Sequence, residues 1–465
     1  MSKLDATQRL AIVSTGRAQA HRPQSRVGTS VAILIVLVLL IAAGFWARSA
    51  IYTTTATIHW NDTRQTIDGF GASAADFLQP LTPAQADFFF TPAGLGLSIL
   101  RVQILPDLAT CNAEFHEGGC SDSNGQILNG ELTTAQMAVA RGAIVMATPW
   151  SPPAAYKSNH SFNNGGSLLR SHYSDWARDI AMFVVMMRQK GVPIYAVSVQ
   201  NEPNGRFKWA SCTYTAQEIR DFVPYLAASL RGAGAGSTKI MIAEESTWSD
   251  DLAAAAMADP PVAAQVGILA AHGYQSNIRP LTLKAPRVWQ TEDSSQSDAY
   301  DGSMTDGIGW AFKITAFLKD ADVSAWLWWF LTDMPRQGEG TDNAALTDIK
   351  GNIPRRAYVS GQWSKFIRPG WLRIEVSYHG PLAITAFRSA AGPSFAIVAV
   401  NPSFWSIKGR FALDGATAEQ VIPWITTRGR SLAPQSPVQA GPNGFSYRLP
   451  PRSVTTFVGA AVPTQ

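Results

Sequence analysis

Eight short apolar runs recur along the middle of the chain, and the stretches between them have helical spacing. The runs occupy residues 65–73, 97–104, 143–150, 194–202, 239–245, 267–274, 287–293 and 323–330. Most are apolar almost throughout, as strands buried on both faces must be, whereas 174–191 has the periodicity of a helix. Eight β/α units in a row predict an α/β chain with a closed (β/α)8 TIM barrel. A doubly wound open sheet is the alternative, but no glycine-rich phosphate loop follows an early strand.

The sequence pattern changes after about residue 360, where short runs of alternating apolar and polar residues are separated by Gly, Pro and Ser. Such runs predict an associated C-terminal domain built as an antiparallel β-sandwich, and the early run 55–60 is a candidate to join it. The predicted organisation is a basic tail at 1–30, a transmembrane signal-anchor at 31–47, and a linker with the first sandwich strand at 48–60. The barrel follows at 61–360 and the sandwich at 361–465.

The N-terminal segment 31–47 carries no charge and is just long enough to cross a bilayer. Five basic residues against one acidic residue precede it, which favours a cytoplasmic N-terminus. Cleavage near Ala47 and Ser49 would instead release a secreted protein. In both cases the prediction is a catalytic domain outside the cytoplasm. If segment 31–47 is retained, the protein also contacts the membrane through this N-terminal helix.

The net charge of +4 comes from that N-terminal tail, so the remaining chain is electrically balanced. A balanced chain gives no reason to expect a nucleic-acid partner. A charged fraction of only 15% and 15 Trp residues suit a protein that handles a neutral ligand.

The chain has three cysteines. Cys111 and Cys120 flank a Gly-rich loop and are candidates for a disulfide, which would leave Cys212 unpaired. No spacing resembles a metal site, and a monomer is expected.

Candidate functional residues are found where the predicted strands end, because the strand C-termini of a TIM barrel meet at one face and carry its active site. Neither a serine triad nor a phosphate loop nor a metal-type His pair occurs among them. The residues at these ends are Arg101, Trp150, Asn201, Glu202, Glu244, Glu245, His272, Tyr274, Glu292, Trp328 and Trp329.

Two of these carboxylates suit glycoside hydrolysis. Glu202 ends the fourth run and Glu292 ends the seventh, so the barrel should place them on opposite sides of its mouth. A retaining glycosidase needs two carboxyl groups about 5–5.5 Å apart, one acting as acid and the other as nucleophile. Their different tasks require different pKa values, hence different surroundings.

The same stretches resemble glycoside hydrolase family 30. "VSVQNEP" and "VWQTED" are similar to the family's signature strands four and seven, and "IDGFGAS", "LSILRVQI", "ATPWSPPAAYKSN" and "AAHGY" follow the family order. "GQWSKFIRPGWLRI" resembles the junction into the second domain. The resemblance covers about 58–460 and implies a barrel glycosidase with catalytic glutamates on strands four and seven.

The resemblance also implies individual roles. Glu202 would be the general acid/base, Glu292 the nucleophile, and Asn201 the partner of the sugar 2-hydroxyl. Arg101 would favour the ionised form of the nucleophile, and Tyr274 would orient it by a hydrogen bond.

Aromatic residues complete the predicted substrate site. Trp150 and either Trp328 or Trp329 would form walls against sugar faces, since adjacent strand residues point to opposite sides. His272 is expected in a supporting role near the substrate rather than as a catalyst. Direct catalysis by Glu244 or Glu245 is not expected.

The substrate remains open among those of the family: xylan, β-1,6-linked glucan or galactan, and glucosylceramide. Endo-β-xylanase activity is the first expectation, and Arg336 is available for a glucuronic acid branch although its surroundings do not match the family pattern. A catalytically inactive, membrane-tethered carbohydrate-binding protein and a structural envelope protein are the alternatives from other classes. The chemistry requires no cofactor, because side chains supply both the proton and the nucleophile.

Overall fold

The computed structural model describes residues 52–105, 126–274, 277–295, 297, 299–333, 343–348 and 351–464, together with Ile35. Tyr52–Gln465 forms one compact unit. Apart from Ile35, the predicted membrane segment 31–47 lies outside the described residues, as do Cys111, Cys120 and Arg336. Within the described ranges, no helix combines the length and apolar character needed to cross a membrane.

The strands are numbered along the chain. They are β1 Thr53–Thr66, β2 Gly69–Ser73, β3 Ile99–Ile104, β4 Ile144–Pro149, β5 Ile194–Ser198, β6 Lys239–Glu245, β7 Val266–Ala271, β8 Val288–Gln290, β9 Ala325–Thr332, β10 Ala345–Thr347, β11 Leu372–His379, β12 Ala383–Arg388, β13 Ser394–Asn401, β14 Ile407–Asp414, β15 Ala416–Thr426, β16 Ala433–Pro434, β17 Val438–Gln439, β18 Phe445–Leu449 and β19 Ser453–Pro463.

The α-helices of the described residues are numbered in the same way. They are α1 Pro83–Phe90, α2 Gln126–Val139, α3 Tyr173–Gln189, α4 Ala216–Gly232, α5 Ala254–Met257, α6 Pro260–Ala263, α7 Met304–Asp320 and α8 Arg355–Ser364, and short 3-10 turns occur at Ala154–Tyr156, Arg170–His172 and Asp251–Ala253.

Strands β2 to β9 form the barrel. Each pairs in parallel with the next, and β8 and β9 pair as well as β9 and β2, so the sheet is closed. Each of the eight predicted runs overlaps one of these strands, which confirms the closed parallel barrel. β10 is an addition that the sequence did not predict; it pairs in parallel with β9 at Ala345 and Thr347.

The helices around the barrel begin where local chemistry favours them. Thr82 caps α1 and Thr215 caps α4, each in a capping box with Gln85 or Glu218 three residues later. Helix α3 buries one face against the barrel, with Trp176, Ile180, Val184 and Met187 all at most 3% exposed. Apolar residues at this spacing explain why the segment 174–191 was recognisable as a helix.

The second domain is one ten-stranded sheet, mostly antiparallel, that curls around its own core. The sequence predicted a sandwich of antiparallel strands. The structure shows a continuous sheet instead, with β1 and β14 forming a parallel pair. Irregular register in β1 after His59 and in β15 after Ala418 explains the curl, because bulges bend a strand and increase its twist.

The barrel and the β-domain pack as one body. The link after β1 is held by Ile67 N–H, which donates to the Trp371 carbonyl at 2.7 Å. Trp363 of α8 donates to Thr385 Oγ1 of β12 at 3.2 Å. Phe387 and Val398 of the β-domain belong to the same buried cluster as the outer face of the barrel.

Candidate active site

The interior of the barrel is layered, and the layers decide which side chains reach its mouth. A buried apolar layer contains Ile99 of β3, Met146 of β4 and Leu327 of β9. Because side chains two residues apart in a strand share a face, Arg101, Thr148 and Trp329 form the next layer, at the C-terminal ends. A polar cluster therefore stands on an apolar floor.

Arg101 lies at the centre of this cluster and is fully buried. Its Nη1 donates to Glu292 Oε2 at 2.5 Å and its Nη2 to Asn201 Oδ1 at 2.6 Å. The same Nη2 is 3.1 Å from Glu244 Oε1. The guanidinium plane also lies over the Trp150 ring, 4.6 Å from its centroid. Burial alone would lower the pKa of Arg101, but the surrounding carboxylates raise it, so the residue is a permanent cation.

The loop that carries Glu202 is pinned to neighbouring strands. Strand β5 ends at Ser198, and the chain then bends so that Asn201 N–H donates to the Pro149 carbonyl at 2.8 Å. Glu202 N–H donates to the Glu244 carbonyl at 3.0 Å, and Glu202 has a φ of +46°. A side chain other than glycine adopts this left-handed conformation only at a cost of about 1–3 kcal/mol. Contacts to strands β4 and β6 thus aim the Glu202 carboxylate into the cleft.

Glu292 is held by three contacts. Its carbonyl accepts from Gly273 N–H at 2.8 Å. Its Oε2 accepts from Arg101, and its Oε1 accepts from the Tyr274 hydroxyl at 3.0 Å. Burial raises the pKa of Glu292, while the positive charges of His272 and Arg101 oppose that rise. Both carboxylate oxygens are fixed, and the two cations offset part of the effect of burial on the Glu292 carboxylate.

His272 connects the carboxylates from beneath. It is fully buried, with Nδ1 3.2 Å from Glu202 Oε1 and 3.7 Å from Glu292 Oε1. Burial disfavours its charge, but Glu292 and Glu202 outweigh burial and raise the pKa of His272 to about 10. The imidazole is therefore a cation at neutral pH.

Glu202 and Glu292 face each other at close range. Together with His272 they offer ligand-type atoms that all lie within 4.8 Å of one another. Such a trio could in principle hold a metal ion, but the cationic state of His272 and the guanidinium of Arg101 oppose a further positive charge. Two carboxyl groups at this distance fit the pair of a retaining glycosidase.

Comparison with known proteins agrees with this geometry. The model of the glycosyl hydrolase family 30 TIM-barrel domain matches residues 128–289. The structure of the glycoside hydrolase family 30 subfamily 8 xylanase Xyn30A from Clostridium acetobutylicum superposes with a TM-score of 0.76 at 30% identity, covering 87% of this chain and 99% of that chain. This chain belongs to glycoside hydrolase family 30.

Curated relatives extend over almost the whole length. Glucuronoxylanase XynC from Bacillus subtilis is 27% identical over 93% of this chain and 99% of its own length. Putative glucosylceramidase 4 from Caenorhabditis elegans is 24% identical over 70% of this chain. The family 30 chain is thus a glycoside hydrolase, and carbohydrate is its class of substrate.

In this family 30 hydrolase, Trp150 and Trp329 are the aromatic residues beside Arg101 at the barrel mouth. Their ring centroids are 5.8 Å apart, and the Trp329 ring also lies 5.6 Å from the Arg101 guanidinium. The sequence also offered Trp328 as a candidate for the cleft wall, and that alternative was wrong. Its side chain is fully buried on the outside of the barrel, where it packs 4.3 Å from Trp310 and donates to Ser360 Oγ at 2.9 Å.

Glu244 is the site residue that the sequence interpretation undervalued. Met241 fills the barrel interior, so strict alternation would place Ala243 inside and Glu244 outside. Strand β6 has an irregular register between Ala243 and Glu245, with φ of +70° at Ala243 and +48° at Glu244. This bulge reverses the alternation and turns Glu244 into the cleft.

The two neighbouring glutamates consequently have opposite environments. Glu244 accepts from Thr148 Oγ1 at 3.2 Å and pairs with Arg101, whereas Glu245 accepts from Leu252 N–H at 2.9 Å, away from the cluster. Burial acts to raise the pKa of Glu244, but the Arg101 charge, together with the contacts to His272 and Ser198, lowers it to about 2. No signal in the sequence distinguished the two, because the bulge is visible only in the pairing with β7.

Proposed function

We propose that this protein is a retaining β-glycoside hydrolase that cleaves a β-linked polysaccharide, with xylan as the first candidate, by a two-glutamate double displacement. The observation that carries the proposal is the approach of Glu202 and Glu292, one carboxylate oxygen of each lying within 4.8 Å of the other across the barrel mouth. That spacing leaves no room for the water molecule that an inverting enzyme places between its carboxyl groups and the sugar.

The contacts of the two glutamates support the assignment of the acid. Both carboxylate oxygens of Glu292 accept hydrogen bonds, one from Arg101 and the other from the Tyr274 hydroxyl, and two fixed donors suit a nucleophile that reacts as a carboxylate. Glu202 lies on the other side of the cleft, with its Oε1 3.2 Å from His272 Nδ1. Glu202 therefore takes the remaining role, that of general acid/base.

In the first step Glu292 attacks the anomeric carbon as the glycosidic C–O bond breaks. Glu202 transfers its proton to the departing oxygen, so the leaving sugar departs as a neutral alcohol and a glycosyl ester forms on Glu292. The Oδ1 of Asn201 is occupied by Arg101, which leaves its Nδ2 amide to donate to the sugar 2-hydroxyl. Trp150 and Trp329 exclude water from one side of the sugar.

In the second step Glu202, now a carboxylate, accepts a proton from water. The resulting hydroxide equivalent attacks the anomeric carbon, the ester bond to Glu292 breaks, and the sugar is released with its original configuration. His272 keeps its charge throughout and offsets the negative charge that alternates between the two glutamates.

Xylan is favoured by the comparisons. The subfamily 8 xylanase and the Bacillus glucuronoxylanase are matched over 99% of their lengths, while the putative glucosylceramidase is matched over 73% of its own. Glucosylceramide and β-1,6-linked glucan or galactan are the alternative substrates.

We also propose that the catalytic unit acts outside the cytoplasm, held by segment 31–47 as a membrane anchor. Its support is the uncharged apolar run of that segment and the basic residues before it.

The test is hydrolysis of glucuronoxylan, unsubstituted xylan, β-1,6-glucan, β-1,6-galactan and glucosylceramide by the purified protein. We expect reducing sugar from a xylan, with proton NMR showing the β-anomer first and the α-anomer only by later mutarotation. Initial release of the α-anomer would refute the retaining mechanism. Binding to xylan without turnover would favour the inactive carbohydrate-binding alternative.

A further inference from the structure

Two large aromatic side chains are strongly exposed on the β-domain. Phe404 is 77% and Trp405 is 64% exposed, in the loop between β13 and β14. We call residues 402–406 the aromatic loop. Adjacent exposed aromatics of this size are unfavourable in water and mark surfaces that contact another phase or partner.

The aromatic loop lies where the chain enters the described unit. The Tyr52 ring packs edge-on against Trp405, with centroids 6.2 Å apart. Lys408 N–H donates to the Tyr52 carbonyl at 2.8 Å, and β1 and β14 run in parallel from Thr53 and Lys408. The chain therefore enters the described unit beside this loop.

The preceding residues are the proposed membrane anchor, and the connection is short. Five peptide steps separate Ala47, the last residue of the apolar segment, from Tyr52. A fully extended chain covers at most about 18 Å over this distance, and the headgroup layer of a bilayer is itself roughly 5–8 Å thick. If segment 31–47 is the anchor, the length of this connection keeps Tyr52, and Trp405 beside it, within reach of the membrane surface.

The charges at this end of the β-domain suit anionic headgroups. Three connections between strands meet at this end, namely 379–383, 401–407 and 449–453. Strand pairing places them together, since His379 lies opposite Thr55, Ala383 opposite Val400 and Ile407 opposite Leu449. Their sequences contain no Asp or Glu. The guanidinium of Arg452 lies 5.2 Å from the Phe404 ring centroid, and Lys408 is exposed at the start of β14. Aromatic rings beside basic side chains are typical of the bilayer interface.

We infer that the aromatic loop, with Arg452 and Lys408, inserts into the headgroup region of an anionic lipid bilayer and forms a second membrane contact of this enzyme. The inference goes beyond hydrolysis and rests on the proposed anchor. Two contacts fix the β-domain against the bilayer, whereas a single anchor would let it rotate freely. The orientation of the barrel relative to the membrane would follow from that attachment.

The test uses the full chain in vesicles of phosphatidylcholine and phosphatidylglycerol at 3:1, with phosphatidylcholine brominated near the headgroup end of its chains as a contact quencher of tryptophan. Trp46 flanks the anchor, so every protein carries Trp46→Phe. Trp405→Phe is compared with Trp209→Phe, a matched control because Trp209 is also exposed, at 42%, but lies in a barrel loop. Flotation of the vesicles reports the anchor separately.

We expect the brominated lipid to quench the tryptophan fluorescence of the background protein, which carries Trp46→Phe alone. The quenched fraction should fall at least twofold when Trp405→Phe is added and should not change when Trp209→Phe is added. Quenching should also weaken in vesicles of phosphatidylcholine alone. Equal quenching of the Trp405→Phe and background proteins, with normal flotation, would overturn the second contact and leave the anchor intact. Failure to float would overturn both. A fluorescence change with xylo-oligosaccharides that requires Trp405, without lipid quenching, would assign the loop to sugar binding and overturn the inference.

Discussion

Replacing Glu244 by Gln tests whether the carboxylate that supports Arg101 is as important as the geometry implies. Burial alone would raise the pKa of Glu244, but Arg101, His272 and Ser198 together outweigh burial and lower it from 4.5 to about 2. A pKa shift of one unit corresponds to 1.36 kcal/mol, so the folded state favours the ionised form of Glu244 by about 3 kcal/mol relative to the unfolded chain. The residue is fully buried, so solvent does not screen the interaction.

The sign of the pH dependence follows from a lowered pKa. The stabilisation is complete above the pKa of the unfolded chain, near 4.5, and is lost as the pH falls toward about 2. Glu244→Gln should therefore reduce the free energy of unfolding by about 3 kcal/mol at pH 7. The difference from the wild type should shrink steadily between pH 4.5 and pH 3. Turnover at pH 7 should fall roughly tenfold, because Arg101 also holds Asn201 and Glu292.

The assay is urea unfolding followed by tryptophan fluorescence at a series of pH values. Glu245→Gln is the matched control. Burial raises the pKa of Glu245, so its ionisation opposes folding at pH 7, and the Gln variant should be as stable as the wild type or more so. Equal urea midpoints for the Glu244 and Glu245 variants at pH 7 would refute the reasoning, as would a Glu244 deficit that persists unchanged at pH 3.

The remaining predictions concern the reacting groups and the walls. Glu292→Ala should reduce turnover at least 1,000-fold on every substrate, measured by reducing-sugar release. Glu202→Gln should be equally impaired on xylan yet recover much of its first-step rate on an activated aryl glycoside, whose leaving group needs no proton; equal loss on both substrates would contradict its role as acid. Tyr274→Phe removes one hydrogen bond to a charged oxygen, so kcat should fall about 10- to 100-fold with little change in KM. Trp329→Ala should raise KM for xylan, whereas Trp328→Phe should lower the thermal midpoint and leave KM unchanged; the reverse pattern would contradict the assignment of the cleft wall.

Much of the fold was predictable because it depends on the local spacing of apolar residues along the chain. Strands buried on both faces require continuous apolar runs, and the helices between them require an apolar stripe, so eight alternations identified the barrel. The curl of the β-domain was not predictable in this way, since it depends on register shifts in β1 and β15 that no single strand reveals.

Glu202 and Glu292 were also accessible from the sequence. Each follows an apolar run, and the order of the runs around a barrel places the fourth and seventh on opposite sides. The structure brings their carboxylates together, with Asn201, Arg101 and Tyr274 in direct contact with the pair or with each other.

The sequence by itself determined the barrel and the strand ends, because the spacing of apolar runs along the chain is enough to specify them, and the resemblance of two strand ends to the family motifs singled out Glu202 and Glu292. Tertiary structure alone decided that Glu244 rather than Glu245 supports Arg101, and that Trp329 rather than Trp328 lines the cleft. The physical reason is the two-residue alternation of a strand. A one-residue bulge or a change of phase exchanges the inside for the outside, and its position is fixed by pairing with a neighbouring strand that is distant in the sequence.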